Sequence, residues 1–512
     1  MNDSKTIDLT EVEEGDEGKD LYPFQEEAIQ RISDKLNDLK DNHNVLFQLP
    51  TGGGKTVIFS EIARRYIKTT NKKVLILTHR IELCKQTSEM LTEFGVNTKI
   101  INSQVKSVED GNEYTCFVAM VETLNNRLQD EKITLNNLGL VIIDEAHYNS
   151  FRKLFKYFDE VNILGVTATP LSSSIKLPMN ENYQELVIGE SISNLVQMGY
   201  LSKATTYSYN VQLDSLKIGI NGDYTVKSSE QLYGNFMMQE KLLRAYEEKS
   251  LFKKTLIFNN GIATSFGVYD TFKAAGYDIR HLDHHVGEQE RREILTWFKN
   301  TPDAILTSVG ILTTGFDEPT VETIILNRAT RSLALYHQMI GRGSRVLPNK
   351  KHFTVIDLGN NLHRFGLWDS PVDWYHIFQA PHQYYDDLKS DEIIERQFIY
   401  QMPDALKKKF SKSDDIEFNV KKEYDKAMRF GEHSKTVIQK SIDQHVRMCL
   451  ENADDMWDAL DLAKLLKDDI QDRIKHYTYC TIKTTKNYLV WLEEDYTRRL
   501  NGAIRKEYVA KG

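Results

Sequence analysis

The chain has 512 residues, with 65 Lys and Arg against 74 Asp and Glu and a formal charge of −9. That length allows roughly three or four domains, and 40% apolar with 27% charged residues argues against a disordered or fibrous chain. No apolar run approaches the roughly 20 residues of a membrane-spanning helix, and Cys84, Cys116, Cys449 and Cys480 lie far apart, against a zinc ribbon or a disulfide framework.

Residues 1–20 hold eight acids and only Lys5 and Lys19. This is the composition of an acidic flexible tail, not of a targeting signal, so a cytoplasmic protein is expected. Residues 401–512 carry 22 basic and 20 acidic residues. Net charge therefore does not exclude nucleic acid as a partner.

From Leu21 onward, short apolar runs alternate with amphipathic stretches. The runs at 45–49, 73–78, 115–121, 140–144 and 162–169 are continuous and rich in β-branched residues, as in strands buried on both faces of a parallel sheet. A second series lies at 255–258, 279–282, 304–309, 322–326 and 353–358. Strand–helix alternation twice over predicts two doubly wound α/β domains, 21–200 and 251–374, joined by a connecting region, 201–250. Asn221-Gly222 in that region signals a tight hairpin turn. Residues 375–512 read as a mainly helical accessory region, with Lys407–Lys409 and Asp454–Asp455 on solvated faces.

The strongest local signal is LPTGGGKT, residues 49–56, between an apolar strand and a helix. Gly52, Gly53 and Gly54 let the backbone wrap a phosphate with inward N–H groups, after Pro50 and Thr51. The helix start adds its positive end, Lys55 a cation for the β- and γ-phosphates, and Thr56 a hydroxyl for Mg²⁺. Leu49 stands where the general phosphate-loop pattern has its first glycine. The run LVIIDEAH places Asp144 and Glu145 at the end of a buried strand. Asp144 would hold Mg²⁺ partly through water, and Glu145 would polarise the water that attacks the γ-phosphate. Alone, a DEAH string is as readily a polar helix start; with the upstream loop, the pair means NTP hydrolysis.

With this pair of motifs, the chain resembles a superfamily 2 DEAH-box helicase from about Leu21 to Trp374. LYPFQEEAI resembles the region whose glutamine, here Gln25, reads adenine. THRIELCKQ, with His79 and Arg80, resembles motif Ia, and VETL, with Thr123, motif Ib; both imply contact with a nucleic-acid backbone. TATP, with Thr167 and Thr169, resembles motif III, which with His147 implies coupling between nucleotide and strand. In the second lobe LIFNN, with Asn259, resembles motif IV, and TTGFDEP motif V. There Thr313 is implied to touch nucleic acid, and Gly315 and Asp317 the nucleotide. QMIGRGSR fits motif VI, with Gln338, Arg342 and Arg345 catalytic. Arg342 and Arg345, three apart, would share one helix face and act as arginine fingers. The bland alternative is a surface salt bridge.

The resemblance implies two tandem RecA-like doubly wound domains, ATP and Mg²⁺ as cofactors, and DNA rather than RNA as partner. Residues 183–201 and 355–374 are similar to RadD-like, XPB-like and phage recombination helicases, although the RadD-type cysteine-rich zinc module has no counterpart here. The expected activity is a DNA helicase or translocase remodelling forked or branched DNA in repair, recombination or replication. An RNA helicase remains the first alternative. A partner-controlled ATPase subunit, for example of a defence complex with a protein partner at 375–512, is the second. The cluster His281, Asp283, His284 and His285 reads as a polar loop before it reads as a metal site. Lys475, Tyr477, Tyr479, Lys483, Lys486, Trp491, Arg498 and Arg499 interleave bases with aromatics, a pattern open to nucleic-acid stacking or to an ordinary core.

Overall fold

The protein is described from a computed structural model over residues 9, 20–38, 44–102, 113–130, 133–159, 161–310, 312, 316–391, 393–394, 402–430, 432–480 and 486–511. It divides into two compact units, Met1–Lys389 and Ser390–Gly512.

The first unit holds two parallel sheets. In chain order the first lobe contributes β1 (Val45–Gln48), β2 (Lys73–Thr78), β3 (Thr98–Ile101), β4 (Cys116–Met120), β5 (Leu138–Asp144), β6 (Asn162–Thr167) and β7 (Glu185–Ile188). Their spatial order is β3-β4-β2-β5-β6-β1-β7. The second sheet contains β8 (Lys203–Ser208), β9 (Thr255–Asn259), β10 (Ile279–Leu282), β11 (Ile305–Val309), β12 (Thr323–Asn327) and β13 (His352–Asp357), in the order β10-β11-β9-β12-β13-β8. Every expected apolar run is a strand. The central ones are buried at every residue, as their unbroken apolar sequence requires. β6 pairs with β1 so that Thr167 stands beside Gln48, and β5 with β6 so that Asp144 stands beside Val166. The carboxyl ends of the three strands thus lie on one edge of the sheet, where open α/β sheets carry their ligands.

Three expectations change. β8 and the helices Val226–Tyr233 and Phe236–Ser250 belong to the second lobe: β8 pairs along all of β13, and Tyr233, Leu242 and Tyr246 enter that lobe's core with Ile257 and Ile356. Residues 201–250 are therefore not a free connector. The Asn221-Gly222 turn is present, with Gly222 at φ +80°, but it closes a single antiparallel bridge, Ile218 to Tyr224. The acidic segment is anchored at Leu9, which is fully buried; its carbonyl accepts from Arg65 Nη1 at 2.7 Å and its N–H donates to Ser33 Oγ at 3.3 Å.

The expected boundary near Trp374 also moves. After β13 the chain returns to the first lobe, where Phe378 joins Leu46, Leu75 and Ile143 in the core, and Asn180 Nδ2 donates to the Gln379 carbonyl at 3.1 Å. Burying such a side chain contributes about 1.5–3 kcal/mol. This return strap, 366–389, ties the lobes together a second time, covalently continuous with the second lobe and held to the first by packing and the Asn180 hydrogen bond.

The second unit is helical among its described residues, with long helices Lys435–Asn452, Lys467–Cys480 and Lys486–Lys511 around its own core. Tyr477 is part of that core at 2% exposure, so it is not available for stacking on a base. Arg498 and Arg499 both pair with Asp495, while Trp491 is half exposed and stacks on Tyr488. The side chains of Tyr479, Lys483 and Lys486 lie outside the described residues. No helix among the described residues is long and apolar enough to cross a membrane.

A buried polar network crosses this core. Asp469 accepts from His445 Nε2 at 2.8 Å and from Arg473, and Arg473 donates on to Gln444 Oε1 at 2.7 Å and Ser441 Oγ at 3.1 Å. Burial, then the charge of Arg473, pushes His445 down to about 4. Asp469 is held below the carboxylate range by His445 and Arg473 against the cost of its burial. Asp469→Ala leaves the Arg473 guanidinium buried and uncompensated, so it should lower the unit's stability by about 3–5 kcal/mol, read as a drop in urea midpoint at pH 7. For acid, the unfolded chain takes a proton on His445 that the folded one refuses. Stability should fall as pH drops from about 6.5 toward 4, and again as Asp469 protonates below the ordinary carboxylate range. A urea midpoint independent of pH over this window would contradict the neutral buried imidazole.

Candidate nucleotide site

The phosphate loop runs from the end of β1 into the helix Lys55–Thr70. Gly52 and Gly54 sit at φ +93° and +88°, a left-handed geometry that favours glycine. Both are also sites of close approach. A Cβ on Gly54 would lie 2.5 Å from Gln25 Nε2, and one on Gly52 would lie 2.8 Å from Leu201 Cδ2 and 2.9 Å from Arg345 Nη1. Gln25, on the first turn of the helix Pro23–Asp38, is buried and accepts the Tyr22 N–H at 3.0 Å. The loop closes on itself through Gly53 N–H to Pro50 O at 3.0 Å, and Lys55 Nζ reaches Leu49 O at 3.4 Å. Thr56 is half-buried on the first helical turn.

Opposite the loop, β5 ends in a strained turn. Glu145 holds φ +53°, rarely adopted by a side chain of its size, and its N–H donates to Asp144 Oδ1 at 3.0 Å. The next residue ties the turn to β6, with Ala146 N–H to Val166 O at 2.9 Å. Burial, then the neighbouring Glu145 charge, raises Asp144 to about 7, while Lys55 opposes the shift. For Glu145 burial acts upward, but Lys55, His147 and Arg342 outweigh it and the carboxyl stays below its usual range. Burial lowers Lys55, against the pull of Glu145 and Asp144. One carboxylate is thus kept charged beside one that holds its proton readily. Glu145 Oε2 and the hydroxyls of Thr51 and Thr169 are enclosed without a hydrogen-bond partner among the described residues. Orphaned oxygens beside a glycine cradle and a lysine fit a polyphosphate with Mg²⁺, which Thr56 and Asp144 would hold.

His147 links the lobes. Its Nδ1 lies 3.0 Å from Thr167 Oγ1, and Thr167 donates its own proton to the Thr169 carbonyl at 2.9 Å. Nδ1 must therefore carry the hydrogen, which leaves Nε2 to accept from Gln338 Nε2 at 3.4 Å. Burial lowers His147, consistent with a neutral ring. Gln338 lies on the helix Leu333–Ile340, whose end abuts the phosphate loop: a Cβ on Gly341 would lie 2.7 Å from Thr51 Cβ. Arg342 donates to the Phe316 carbonyl, and burial pushes it down to about 10, still charged at neutral pH. Arg345 Nε pairs with Asp317 Oδ1 at 2.7 Å.

The expected strand-contact residues scatter. Arg80 Nη2 reaches the Gly310 carbonyl of the second lobe at 3.4 Å, and Thr123 is half-exposed on the first turn of the helix Val121–Gln129. His79 is drawn inward: its ring packs 4.3 Å from Tyr148, which packs 4.3 Å from His147, and burial lowers it to about 4. Asn259 requires correction. It is 1% exposed, donates to Thr307 Oγ1 at 2.8 Å and accepts from Asn327 at 2.8 Å, so it ties three strands together and faces no surface. His281 Nδ1 shares a hydrogen bond with Ser265 Oγ at 2.8 Å, and its Nε2 lies 3.1 Å from Asp283, inside the same lobe. Thr313 and Gly315 lie outside the described residues. The motifs did not point to Ser202 or Lys350, which hold the motif VI turn from beneath; the only local signal was the Pro348-Asn349 turn dipeptide.

Comparison with known proteins bears on family and fold. Residues 18–172 match the family "Type III restriction enzyme, res subunit", and 237–346 match "Helicase conserved C-terminal domain". "Putative ATP-dependent helicase IRC3" of Saccharomyces cerevisiae is 30% identical over 357 residues, 66% of this chain and 51% of that protein. A 51.5 kDa protein of a Lactococcus phage is 28% identical, over 65% of this chain and 70% of its own. Among solved structures, "the fragment structure of a putative HsdR subunit of a type I restriction enzyme from Vibrio vulnificus YJ016" shares the fold with a TM-score of 0.54 at 20% identity, covering 68% of this chain and 67% of that one. Two RecA-like lobes carrying these motifs define the class, and the chain belongs to the superfamily 2 helicases. It spans about half the length of the yeast relative.

Gly341→Val should wedge the lobes apart at Thr51 while leaving each lobe folded. Fluorescent probes on the two lobes should then transfer energy less efficiently, with melting curves little changed; wild-type transfer would contradict the contact.

Proposed function

We propose that this chain is an Mg²⁺-dependent ATPase that converts hydrolysis into movement on DNA, as a helicase or translocase acting on forked or branched strands. The observation that carries the proposal is the convergence of Lys55, the Asp144–Glu145 pair and the Arg342–Arg345 turn on one cleft between the lobes. In this reading the phosphate loop and Lys55 bind the β- and γ-phosphates, and Gln25 contacts the adenine edge. Glu145, kept charged by the surrounding cations, orients the attacking water and accepts its proton. Bound Mg²⁺ would neutralise phosphate charge, with Thr56 and Asp144 as its holders. Arg342 and Arg345 stabilise charge on the transferring phosphoryl group from the second lobe.

The chain Gln338–His147–Thr167–Thr169 supports coupling. A change in lobe separation breaks its 3.4 Å member first and frees the imidazole beside Glu145. DNA is preferred to RNA because the family matched over the first lobe is named for a restriction enzyme. A second reading, a motor subunit governed by a protein partner, has its support in the compact unit 390–512, which exposes Trp457 at 69% and Trp491 at 50%.

Steady-state ATPase at fixed low salt, with no polynucleotide, single-stranded, forked or duplex DNA, or RNA, separates these readings. Stimulation by forked DNA is expected; stimulation by RNA alone, or by none of them, would overturn the DNA assignment. Lys55→Ala should abolish turnover and weaken nucleotide binding. Glu145→Gln should retain ATP binding and slow turnover by about 10²–10⁴-fold, since it removes the base and leaves the pocket. Loss of ATP binding in that variant would reassign Glu145.

A further inference from the structure

We propose that Lys350 is a positioning residue for Arg345: its ammonium donates to the carbonyls of Pro319, Gly343 and Arg345, at 2.8, 2.8 and 2.9 Å, and so fixes the turn from which the arginine reaches the phosphate loop. This deepens the ATPase reading and rests on it. An ammonium has three N–H donors, and here three carbonyls take them. Lys350 is only 6% exposed, and a lysine so enclosed is tolerated where every donor is satisfied.

The three carbonyls come from two separate segments. Pro319 lies just before β12, two residues after the Asp317 that holds the Arg345 side chain; Gly343 and Arg345 lie in the turn after the Gln338 helix. One cation therefore ties together the backbones that hold both ends of Arg345. Mutual backbone hydrogen bonds between Leu347 and Lys350, at 3.1 and 3.0 Å, fold the chain back so that the lysine lies beneath its own turn. Burial pushes the ammonium down to about 8 against the pull of Glu322 and Glu318, with Arg345 acting in the same direction as burial. It is charged at neutral pH.

The same turn has a second support, from the crossing between the lobes. Ser202 donates its N–H to the Ser344 carbonyl at 2.8 Å and its hydroxyl to the Arg345 carbonyl at 2.9 Å. The preceding residue, Leu201, touches Gly52. Arg345 is thus held by groups whose own chain path leads from one lobe to the other. Two of the three donors go to the turn bearing the arginine and the third to the segment that carries its Asp317 partner.

The test is a double-mutant cycle on DNA-stimulated ATPase. Lys350→Met should lower kcat on the order of tenfold to a hundredfold, the cost of a misplaced catalytic group. The affinity for a non-hydrolysable ATP analogue should stay within about threefold. In an Arg345→Ala background, measured by single turnover, the same change should cost no more than about twofold, because the group it positions is gone. Equal losses in both backgrounds, or an unchanged kcat in the otherwise wild-type chain, would overturn the assignment. Should Lys350→Met fail to fold, Ser202→Ala decides by the same cycle, with a smaller loss that must likewise vanish without Arg345. A wild-type chain that hydrolyses ATP while the losses add removes only the role of Lys350. A wild-type chain inert with every polynucleotide removes the ATPase reading and this proposal with it.

Discussion

Everything at the cleft depends on two stretches of backbone approaching without side chains between them. Gly52 of the phosphate loop faces Arg345 and Leu201, and Gly341 of the second lobe faces Thr51, each at a distance that a Cβ would occupy. Ordinary residues at either place would hold the lobes apart by about the width of a methyl group. That gap would separate Gln338 from His147 and carry the guanidinium groups of Arg342 and Arg345 away from the loop. The glycines thus set the interlobe spacing, and the charged residues act at that spacing.

Electrostatics at this spacing are balanced within the cleft. Lys55, Arg342 and Arg345 face Asp144 and Glu145, and burial strengthens each attraction while raising the cost of each charge. The two carboxyls respond in opposite directions because the cations outweigh burial at Glu145, while burial and then the Glu145 charge push Asp144 upward.

The central strands were legible because a strand buried on both faces must be apolar throughout, and the phosphate loop because three glycines before Lys55 leave few other structures. Of the edge strands, β10 was, but β3, β7 and β8 were not. β8 alternates exposed and half-buried residues, and its polar sequence Lys203–Ser208 carries no buried-strand signal. Lys350 was invisible for a different reason: its partners are carbonyls, which any sequence supplies. Asn259 was misread because a motif position says what a residue neighbours, and only the register with Thr307 and Asn327 reveals that its amide is used up inside the sheet. The acidic segment reads as a flexible tail because eight acids dominate its composition, and nothing in that composition marks Leu9 as buried.

The return strap has a consequence for how this chain can be divided. The path runs from the first lobe to the second and back, and Phe378 fills a place in the first lobe's core. Trp374, on the same strap, stands 5.7 Å from the ring of His337 in the second lobe. A gene fragment stopping at residue 200 would encode a lobe with a hole in its core and an apolar surface around it. After a protease cut in the crossing 189–202, the packing of the strap would be what holds the first-lobe fragment to the rest. The lobes are modules in shape, yet not in heredity: recombination could exchange the second for another only by carrying the last strap of the first along with it.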